Sequence, residues 1–351
     1  MVRRIFSEVM CRPEDLKASR DDCEIIGTFN PGAIEMDGQV VLMVRVAERP
    51  KEKRVGFTPL PHIDPHAGYT IDWIADDDLD LTDPRVVRTK RDGMIRLRFV
   101  SHLRVMISRD GRSIDQPDVA SFLPETPFET YGVEDPRIVR LGDRYYVTYV
   151  AVSKHGPATA LASTADFISF QRHGVIFPLE NKDVVLFPEQ IDGEYIALHR
   201  PFGGTPFTAP EMWIAHSPDL IHWGQHRVVF GGEHGWGAGR IGAGAPPIRI
   251  DGGWLEIYHG NAKTIGTSGV GAYAAGAALL DLDQPWRVLR KSPEPIFTAE
   301  ADHERRGFVP DVVFPTGIVE RGDTLLIYYG AADTSAAVVA LPRDEVISAM
   351  V

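Results

Sequence analysis

One hydrophobic pattern recurs along the chain: an apolar segment, a Gly/Asp turn, and a second segment in which aromatic and aliphatic residues alternate. Alternation with a period of two is typical of β-strands, and a short Gly/Asp turn between two such strands predicts a β-hairpin. Five hairpins are predicted in this way, around the turns at Asp37-Gly38, Gly142-Asp143, Asp192-Gly193, Asp251-Gly252 and Gly322-Asp323. The pattern therefore predicts an all-β protein.

A second pattern follows each hairpin: a short apolar segment that runs into a turn with an aspartate. The five copies end at Asp110, Asp166, Asp219, Asp283 and Asp344. Their spacings of 56, 53, 64 and 61 residues are nearly constant. Repeats of this kind are typical of propellers, so five copies predict one five-bladed β-propeller domain over residues 1–351, with about four strands in each blade.

Two parts of the chain depart from the repeat. Helical periodicity is confined to residues 344–351 and, more weakly, to residues 14–20, so we expect only short terminal helical segments. A long excursion at about 50–130 interrupts the first blade and contains charged stretches. Long loops in a compact domain usually serve a site or an interface, and we expect the same here.

The composition argues against several classes of protein. A net charge of −12 disfavours nucleic acid as a partner, because binding to a phosphate backbone needs a basic face. Cys11 and Cys23 are too few for a disulfide framework, which favours a reducing compartment. The sequence shows neither a secretory signal nor an apolar run that could span a bilayer. We expect a soluble cytoplasmic protein without a membrane partner, and homo-oligomerisation stays open.

Polar residues at the inner ends of the hairpins are candidate site residues. The innermost strands of propeller blades line a central channel, so polar residues at their ends converge on one pocket. The register of the hairpins selects Asn30, Arg45, Glu134, Asp135, Arg137, Glu189, His199, Arg200, Arg240, His259, Asp311 and Asp333, with Tyr131, Trp236, Tyr273 and Phe308 nearby. Carboxylates beside aromatic rings are typical of a sugar-binding site.

Simpler explanations cover some of these features. Aspartates at turns, Asp110 among them, are assigned to turn chemistry. Glu134, Asp135 and Arg137 differ, because two carboxylates and a guanidinium at one strand end need a ligand or their own ion pairs to offset desolvation. His222 and His226 have no third metal ligand near them in the sequence, so no metal is expected. The glycine-rich segment 239–244 lacks a following helix, which excludes a dinucleotide loop.

Longer motifs surround the candidate residues, at 30–33, 132–138, 181–188, 199–201, 240–248, 258–260, 307–315 and 328–333. In these motifs the chain resembles glycoside hydrolase family 130, the β-mannoside phosphorylases and related β-mannosidases. The resemblance extends from about residue 23 to the end of the chain. It implies a five-bladed propeller, which the repeats predict independently.

The resemblance also implies an inverting mechanism and roles for individual residues. Asp135 matches the proton donor, which in the phosphorylases acts through the 3-hydroxyl of the sugar. Asn30, Arg45 and Asp333 match positions that hold the mannosyl ring. Further candidates for substrate binding are Glu134, Arg137, His199, Tyr273, Phe308 and Asp311. The residues that match the phosphate-binding set are Lys182, Arg200, Arg240 and His259.

The basic set distinguishes between two reactions. A phosphorylase must hold a dianion in line with the anomeric carbon, and several cations in one channel serve this purpose. The hydrolases of the family lack much of the set and use a carboxylate to activate water. We therefore expect phosphorolysis of β-mannosides to α-mannose 1-phosphate, with inorganic phosphate as co-substrate and no cofactor.

Residues 83–85 and 101–104 of the excursion further resemble the branch of the family that acts on β-1,2-linked manno-oligosaccharides. Two alternatives stay open. One is an inverting β-mannosidase that uses water, and the other is a non-catalytic glycan-binding propeller. A binding module would have no need of Asp135 together with several convergent cations.

Overall fold

The computed structural model describes residues 1–83, 85–202, 207–232, 235–262 and 270–351. Within these ranges the protein consists of 26 strands, two short α-helices and three 3-10 turns. The predicted all-β class is therefore confirmed. Among the helices described, none is long and apolar enough to cross a membrane.

The first fourteen strands, in chain order, are β1 (Phe6–Cys11), β2 (Cys23–Met36), β3 (Gln39–Pro50), β4 (Phe57–Asp64), β5 (Gly68–Ala75), β6 (Leu79–Asp80), β7 (Val87–Thr89), β8 (Ile95–Arg96), β9 (Val100–Ser108), β10 (Gln116–Phe122), β11 (Gly132–Leu141), β12 (Arg144–Ser153), β13 (Gly156–Thr164) and β14 (Phe170–Phe177). The 3-10 turns of this half are Pro13–Asp15 and Asp76–Asp78.

The remaining strands are β15 (Asn181–Leu186), β16 (Tyr195–Pro201), β17 (Met212–Ser217), β18 (Gly224–Phe230), β19 (Arg240–Ala243), β20 (Ile248–Ile250), β21 (Gly253–Asn261), β22 (Tyr273–Leu280), β23 (Val288–Lys291), β24 (Val313–Arg321), β25 (Thr324–Ala331) and β26 (Ser335–Pro342). The helices are α1 (Asp302–Arg305) and α2 (Arg343–Ser348), and the third 3-10 turn is Gly235–Gly237.

The main strands of the described chain form five antiparallel groups with four strands in each path, which are called the first to the fifth sheet here. In chain order the sheets are β2-β3-β9-β10, β11-β12-β13-β14, β15-β16-β17-β18, β19-β21-β22-β23 and β24-β25-β26-β1, and β20 also pairs with β21. One parallel pairing, between Gly132 and Ser101, joins the first two sheets. Because β1 pairs with β26, the two ends of the chain meet in the fifth sheet.

The predicted hairpins and trailing segments are confirmed. The five Gly/Asp turns join β2 to β3, β11 to β12, β15 to β16, β20 to β21, and β24 to β25. The trailing segments correspond to the third strands β9, β13, β17, β22 and β26. Asp110, Asp166 and Asp219 each accept backbone N–H groups two and three residues further on, at 2.8–2.9 Å. In the fourth copy Asp281, rather than Asp283, has this role.

The irregular segments agree with the prediction only in part. α2 confirms the C-terminal helix, whereas residues 14–20 contribute only to the single 3-10 turn Pro13–Asp15. α1 was not predicted, because four residues are too few to show helical periodicity. Within the predicted excursion, the hairpin β4–β5 and the small sheet β6-β7-β8 lie outside the first sheet, but β9 and β10 belong to it.

The apolar core lies between the sheets. A cluster of buried side chains fills the space between each sheet and the next along the chain. A further cluster lies between the fifth sheet and the first, where Leu42 and Val44 pack with Tyr328 and Val338. The polar inner ends of β2, β11 and β15 are thereby held in fixed positions beside one another.

Candidate active site

The first strands of the first three sheets share a β-bulge. In each bulge one residue has a left-handed backbone, with φ of 50° at Asn30, 50° at Asp135 and 55° at Asp183. Asn and Asp adopt this region more readily than other residues that carry a Cβ. Bulges redirect side chains and occur often beside active sites. Here they direct the carboxamide of Asn30 to the carboxylate of Asp135, with Nδ2 donating to Oδ1 at 2.8 Å.

Arg45 of β3 joins the two predicted carboxylates. Its Nη2 donates to Oε1 of Glu134 at 2.7 Å, and its Nη1 donates to Oδ1 of Asp135 at 3.0 Å. Its Nε donates to the hydroxyl of Ser101 at 3.1 Å, and its guanidinium carbon lies 4.5 Å from the ring centroid of Phe29. All five residues are buried, and the ion pairs with Arg45 offset the cost of desolvating the two carboxylates, as expected from the sequence.

The charges around Asp135 keep it ionised. Burial by itself raises the pKa of this carboxyl, but the positive charges of Arg45 and Arg137 outweigh burial and hold the pKa below its ordinary value. The hydrogen bond from Asn30 and the charge of Lys182 act in the same direction. In this environment Asp135 is a carboxylate rather than an acid.

Asp333 has the opposite environment. Burial raises its pKa to about 6, and the negative charges of Asp135 and Glu134 add to the effect, whereas Arg45 and Arg85 oppose it. Asp333 also has a left-handed backbone, with φ of 48°. Because its pKa is affected by the two carboxylates and by Arg45, Asp333 belongs to the same site.

The excursion also reaches the site. Arg85 acts electrostatically on Asp333, and its Nη2 lies 2.8 Å from Oδ2 of Asp83. Val86 packs in one apolar cluster with Phe29 and Phe99, the two rings beside Arg45. Of the motif at 83–85, residue 84 lies outside the described residues. The sequence singled out this motif only by resemblance and assigned Arg85 no role.

A second cluster surrounds Asp183, which the sequence reasoning missed. The carboxylate Oδ2 lies 2.8 Å from Nη1 of Arg200 and 3.3 Å from Nε2 of His259, and Oδ1 accepts from Nη2 of Arg137 at 3.3 Å. Burial opposes ionisation of Asp183, but Arg200 and His259 hold its pKa well below the ordinary value. The available signal was a carboxylate directly before an apolar run at the start of a strand.

Lys182 and Arg240 complete the predicted basic set. Lys182 is the register partner of Arg200 across β15 and β16, and it affects the pKa of Asp135. Arg240 begins β19. The Nε atoms of Arg200 and Arg240 are buried and have no hydrogen-bond partner in the described part of the chain. A buried donor without a partner costs free energy, and a bound anion would satisfy it.

Other predicted residues lie at the edge of the site or outside it. Tyr273 packs against His259, and Phe308 packs edge-on against Phe99 at 6.4 Å. Asp311 is exposed, and its carbonyl accepts the backbone N–H of Tyr273. Glu189, which the hairpin register had also selected, pairs with Arg249 at the surface.

His199 is not brought into either cluster. Its Nδ1 lies 3.0 Å from the side-chain nitrogen of Asn181, and its Nε2 lies 3.1 Å from Nδ1 of His226. Its ring stacks on Phe177 at 4.7 Å. Burial, followed by the charge of His226, lowers the pKa of His199 to about 3. Side chains alternate between the faces of a strand, so His199 and the adjacent Arg200 point in opposite directions.

The described residues include no group of three or more His, Cys, Asp or Glu side chains that could hold a metal ion. The site consists of two neighbouring groups, one around Asp135 and one around Asp183. Arg137 links them, because its Nη1 donates to the carbonyl of Asp135 at 2.9 Å and its Nη2 donates to Asp183. Carboxylates and aromatic rings on one side and cations on the other define a carbohydrate-active site that also accommodates an anion.

Comparison with known proteins places this class of site in a family. The model of glycoside hydrolase family 130, described as β-1,4-mannooligosaccharide phosphorylase, matches residues 98–351. The chain belongs to glycoside hydrolase family 130.

Individual relatives support the assignment over nearly the whole chain. A β-1,2-mannobiose phosphorylase from Listeria innocua is 39% identical over 342 residues, which are 96% of this chain and 94% of the relative. A 1,2-β-oligomannan phosphorylase from Thermoanaerobacter sp. is 35% identical over 253 residues, 71% of this chain and 81% of the relative. The solved complex of the Listeria innocua enzyme with β-1,2-mannobiose has a TM-score of 0.90 at 38% identity and covers 96% of both chains.

Proposed function

We propose that this protein is an inverting phosphorylase that cleaves β-mannosides, with β-1,2-linked manno-oligosaccharides as the substrate class and α-mannose 1-phosphate as the product. The observation that carries the proposal is the pair of buried Nε atoms of Arg200 and Arg240, which lack hydrogen-bond partners among the described residues. The group around Asp183, to which Arg200 belongs, is joined to the ionised Asp135 by Arg137. A hydrolase that activates water has no use for free donors on buried arginine nitrogens, whereas a bound phosphate needs them.

In the proposed reaction the two clusters hold the two substrates. Asn30, Arg45 and Asp333 bind the mannosyl ring beside Asp135, and the cations bind phosphate on the neighbouring side. A phosphate oxygen attacks the anomeric carbon as the glycosidic bond breaks, which inverts the configuration. The leaving oxygen takes a proton from the 3-hydroxyl of the sugar, and Asp135 replaces that proton.

The charge distribution gives this order of events a physical basis. Arg137 and Lys182 lower the pKa of Asp135 in the free protein. A phosphate dianion bound among these cations would offset their positive charge. Its own negative charge would also raise the pKa of the nearby carboxyl group of Asp135. Phosphate binding therefore favours protonation of Asp135, and the acid becomes competent once both substrates are present.

The proposal extends to the architecture. We infer that the five sheets are the blades of one propeller over residues 1–351. The support is the series of apolar clusters between successive sheets, which includes one between the fifth sheet and the first. The pairing of β1 with β26 fits the same architecture, because it joins both ends of the chain in one blade.

The decisive experiment is product analysis after incubation with β-1,2-mannobiose, with and without phosphate. We expect mannose 1-phosphate at a rate that rises with phosphate and saturates. Arg240→Ala should raise the KM for phosphate far more than the KM for the mannoside, since it removes a contact with one substrate only. Arg249→Ala is the matched control, because Arg249 pairs with Glu189 at the surface.

Two outcomes would overturn the proposal. Release of free mannose at an unchanged rate in phosphate-free buffer would identify a β-mannosidase. Binding of mannobiose without turnover in either buffer would identify a glycan-binding propeller.

A further inference from the structure

We infer that Asp183 is a positioning residue that holds the phosphate-binding cations in place, an inference that rests on the proposed phosphorylase function. Its buried carboxylate lies within 3.3 Å of two guanidinium groups and one imidazole: Arg137 at 3.3 Å, Arg200 at 2.8 Å and His259 at 3.3 Å. These side chains come from three different sheets, so one carboxylate organises groups that are distant in the sequence.

Asp183 balances the positive charges of two arginines. Without a ligand, the guanidinium groups of Arg137 and Arg200 would repel one another in a buried site. Asp183 lies between them and uses a different oxygen for each, Oδ1 for Arg137 and Oδ2 for Arg200. The carboxylate therefore keeps the cations together in the absence of phosphate.

Asp183 also orients the guanidinium group of Arg200. Its Nη1 is held by Asp183 and lies 3.2 Å from Nε2 of His259. Its Nε is buried and has no partner in the described part of the chain. Arginine binds phosphate best when Nε and a terminal nitrogen donate together along one edge of the guanidinium group. Asp183 holds one end of the guanidinium and leaves the Nε edge for a second anion.

Asp183 is also connected to Asp135 through Arg137. Arg137 donates from Nη1 to the carbonyl of Asp135, from Nη2 to Asp183 and from Nε to the carbonyl of Gly244. One rigid guanidinium thus joins the bulge of Asp135 to the bulge of Asp183. In-line attack depends on the distance and angle between two bound substrates, and small displacements cost large factors in rate. Asp183 thereby holds the phosphate-binding side chains at a fixed distance and angle from the residues proposed to bind the sugar.

The local backbone is specialised for this arrangement. Asp183 has a left-handed backbone with φ of 55°, as do Asn30 and Asp135 in the corresponding bulges. A buried ion pair is a poor device for stability alone, because well-packed apolar residues of similar volume serve the fold as well or better. The presence of a buried carboxylate at Asp183 is therefore explained by its effect on the cations rather than by stability.

The test compares Asp183→Asn with wild type. Asparagine keeps the shape and tolerates the left-handed backbone but removes the charge. We expect kcat/KM for phosphate to fall roughly 10- to 100-fold, the range for loss of one charged hydrogen bond, while the KM for mannobiose stays within about twofold. The pH profile of the phosphate KM should also shift, because the charge of Asp183 raises the pKa of His259 against the larger effect of burial.

Asp192→Asn is the matched control. Asp192 is exposed, has φ of 53° and lies in the hairpin turn of the same sheet. Both KM values and the pH profile should equal those of wild type.

A second variant, Asp183→Gly, keeps the test decisive if Asp183→Asn does not fold. Glycine adopts the left-handed backbone without strain and leaves space for a small carboxylate. Added formate should then restore part of kcat/KM for phosphate. An unchanged phosphate KM in a folded variant, an equal rise in both KM values, or a loss in Asp183→Gly that formate does not restore would each overturn the inference. If wild type itself releases no mannose 1-phosphate, the proposed function fails instead.

Discussion

Gly242 of β19 lies directly against the carboxylate of Asp183: a Cβ atom at this glycine would be 2.5 Å from Oδ2. The same Cβ would be 2.7 Å from Nε2 of His259. β19 can approach Asp183 of β15 this closely only because Gly242 has no side chain. The fourth sheet therefore contributes to the anion side of the site by leaving space for Asp183 and His259.

Gly242→Ala should therefore weaken phosphate binding and destabilise the fold. The added methyl group displaces either Asp183 or His259, and overpacking of a tight core costs about 1–3 kcal/mol. Urea unfolding and the phosphate KM measure the two effects. Gly224→Ala is the control, because no atom lies within 4 Å of a Cβ at Gly224 in β18. Equal behaviour of the two variants would contradict the packing argument.

Asp135→Asn should lose about a hundred- to ten-thousand-fold in turnover, the usual contribution of general acid catalysis, without unfolding. Asparagine is compatible with φ of 50° at this bulge. The measurement is the rate of phosphate-dependent cleavage of β-1,2-mannobiose. Asp37→Asn is the control, since Asp37 is exposed in a hairpin turn with φ of 51°. Retention of more than about a tenth of the rate would assign the acid to another residue.

Asp333→Asn should stabilise the protein in a pH-dependent way. Burial raises the pKa of Asp333 from 3.8 to about 6, so the folded state binds a proton more tightly than the unfolded state. Below pH 4 both states are protonated and the carboxyl costs nothing. Above pH 6 the folded state contains a buried charge, which costs roughly 2–3 kcal/mol. Urea unfolding from pH 4 to pH 7 should show that the difference in the free energy of unfolding between variant and wild type grows with pH. A difference that does not change with pH would contradict burial as the cause.

Arg4→Ala should destabilise the fold by about 3–5 kcal/mol, because it leaves a buried carboxylate without its cation. Nη1 of Arg4 lies 2.7 Å from Oε1 of Glu304, which also accepts from the hydroxyl of Tyr329 at 2.6 Å. The adjacent Arg3 pairs with Glu345 at the surface, so Arg3→Ala should cost less than about 1 kcal/mol. Equilibrium unfolding measures the stability of both variants. Similar losses in the free energy of unfolding would show that burial of the ion pair does not decide its contribution.

Local features of the sequence predicted most of the fold. Each Gly/Asp turn was found between the strands that its flanking apolar segments predicted, since hairpins depend on neighbouring residues. Asp110, Asp166 and Asp219 were also correctly assigned to turn chemistry. In the fourth copy Asp281 replaces Asp283, and in the fifth copy Asp344 lies in the first turn of α2 rather than in a turn between strands. α1 was not predictable, because its first turn is held by Glu304, whose partners Arg4 and Tyr329 are distant in the chain.

The sequence by itself determined the hairpins, the trailing strands and the carboxylate pair Glu134 and Asp135, because turn chemistry and alternation are local properties. Only the tertiary structure decided which side chains meet. A bulge adds one residue to a strand and changes the face of every side chain beyond it. The bulge of β15 directs Asp183 to Arg200 and His259, whereas alternation along β16 turns His199, adjacent to Arg200, to Asn181 and His226. Side-chain directions of this kind follow from the packing of the sheets against one another.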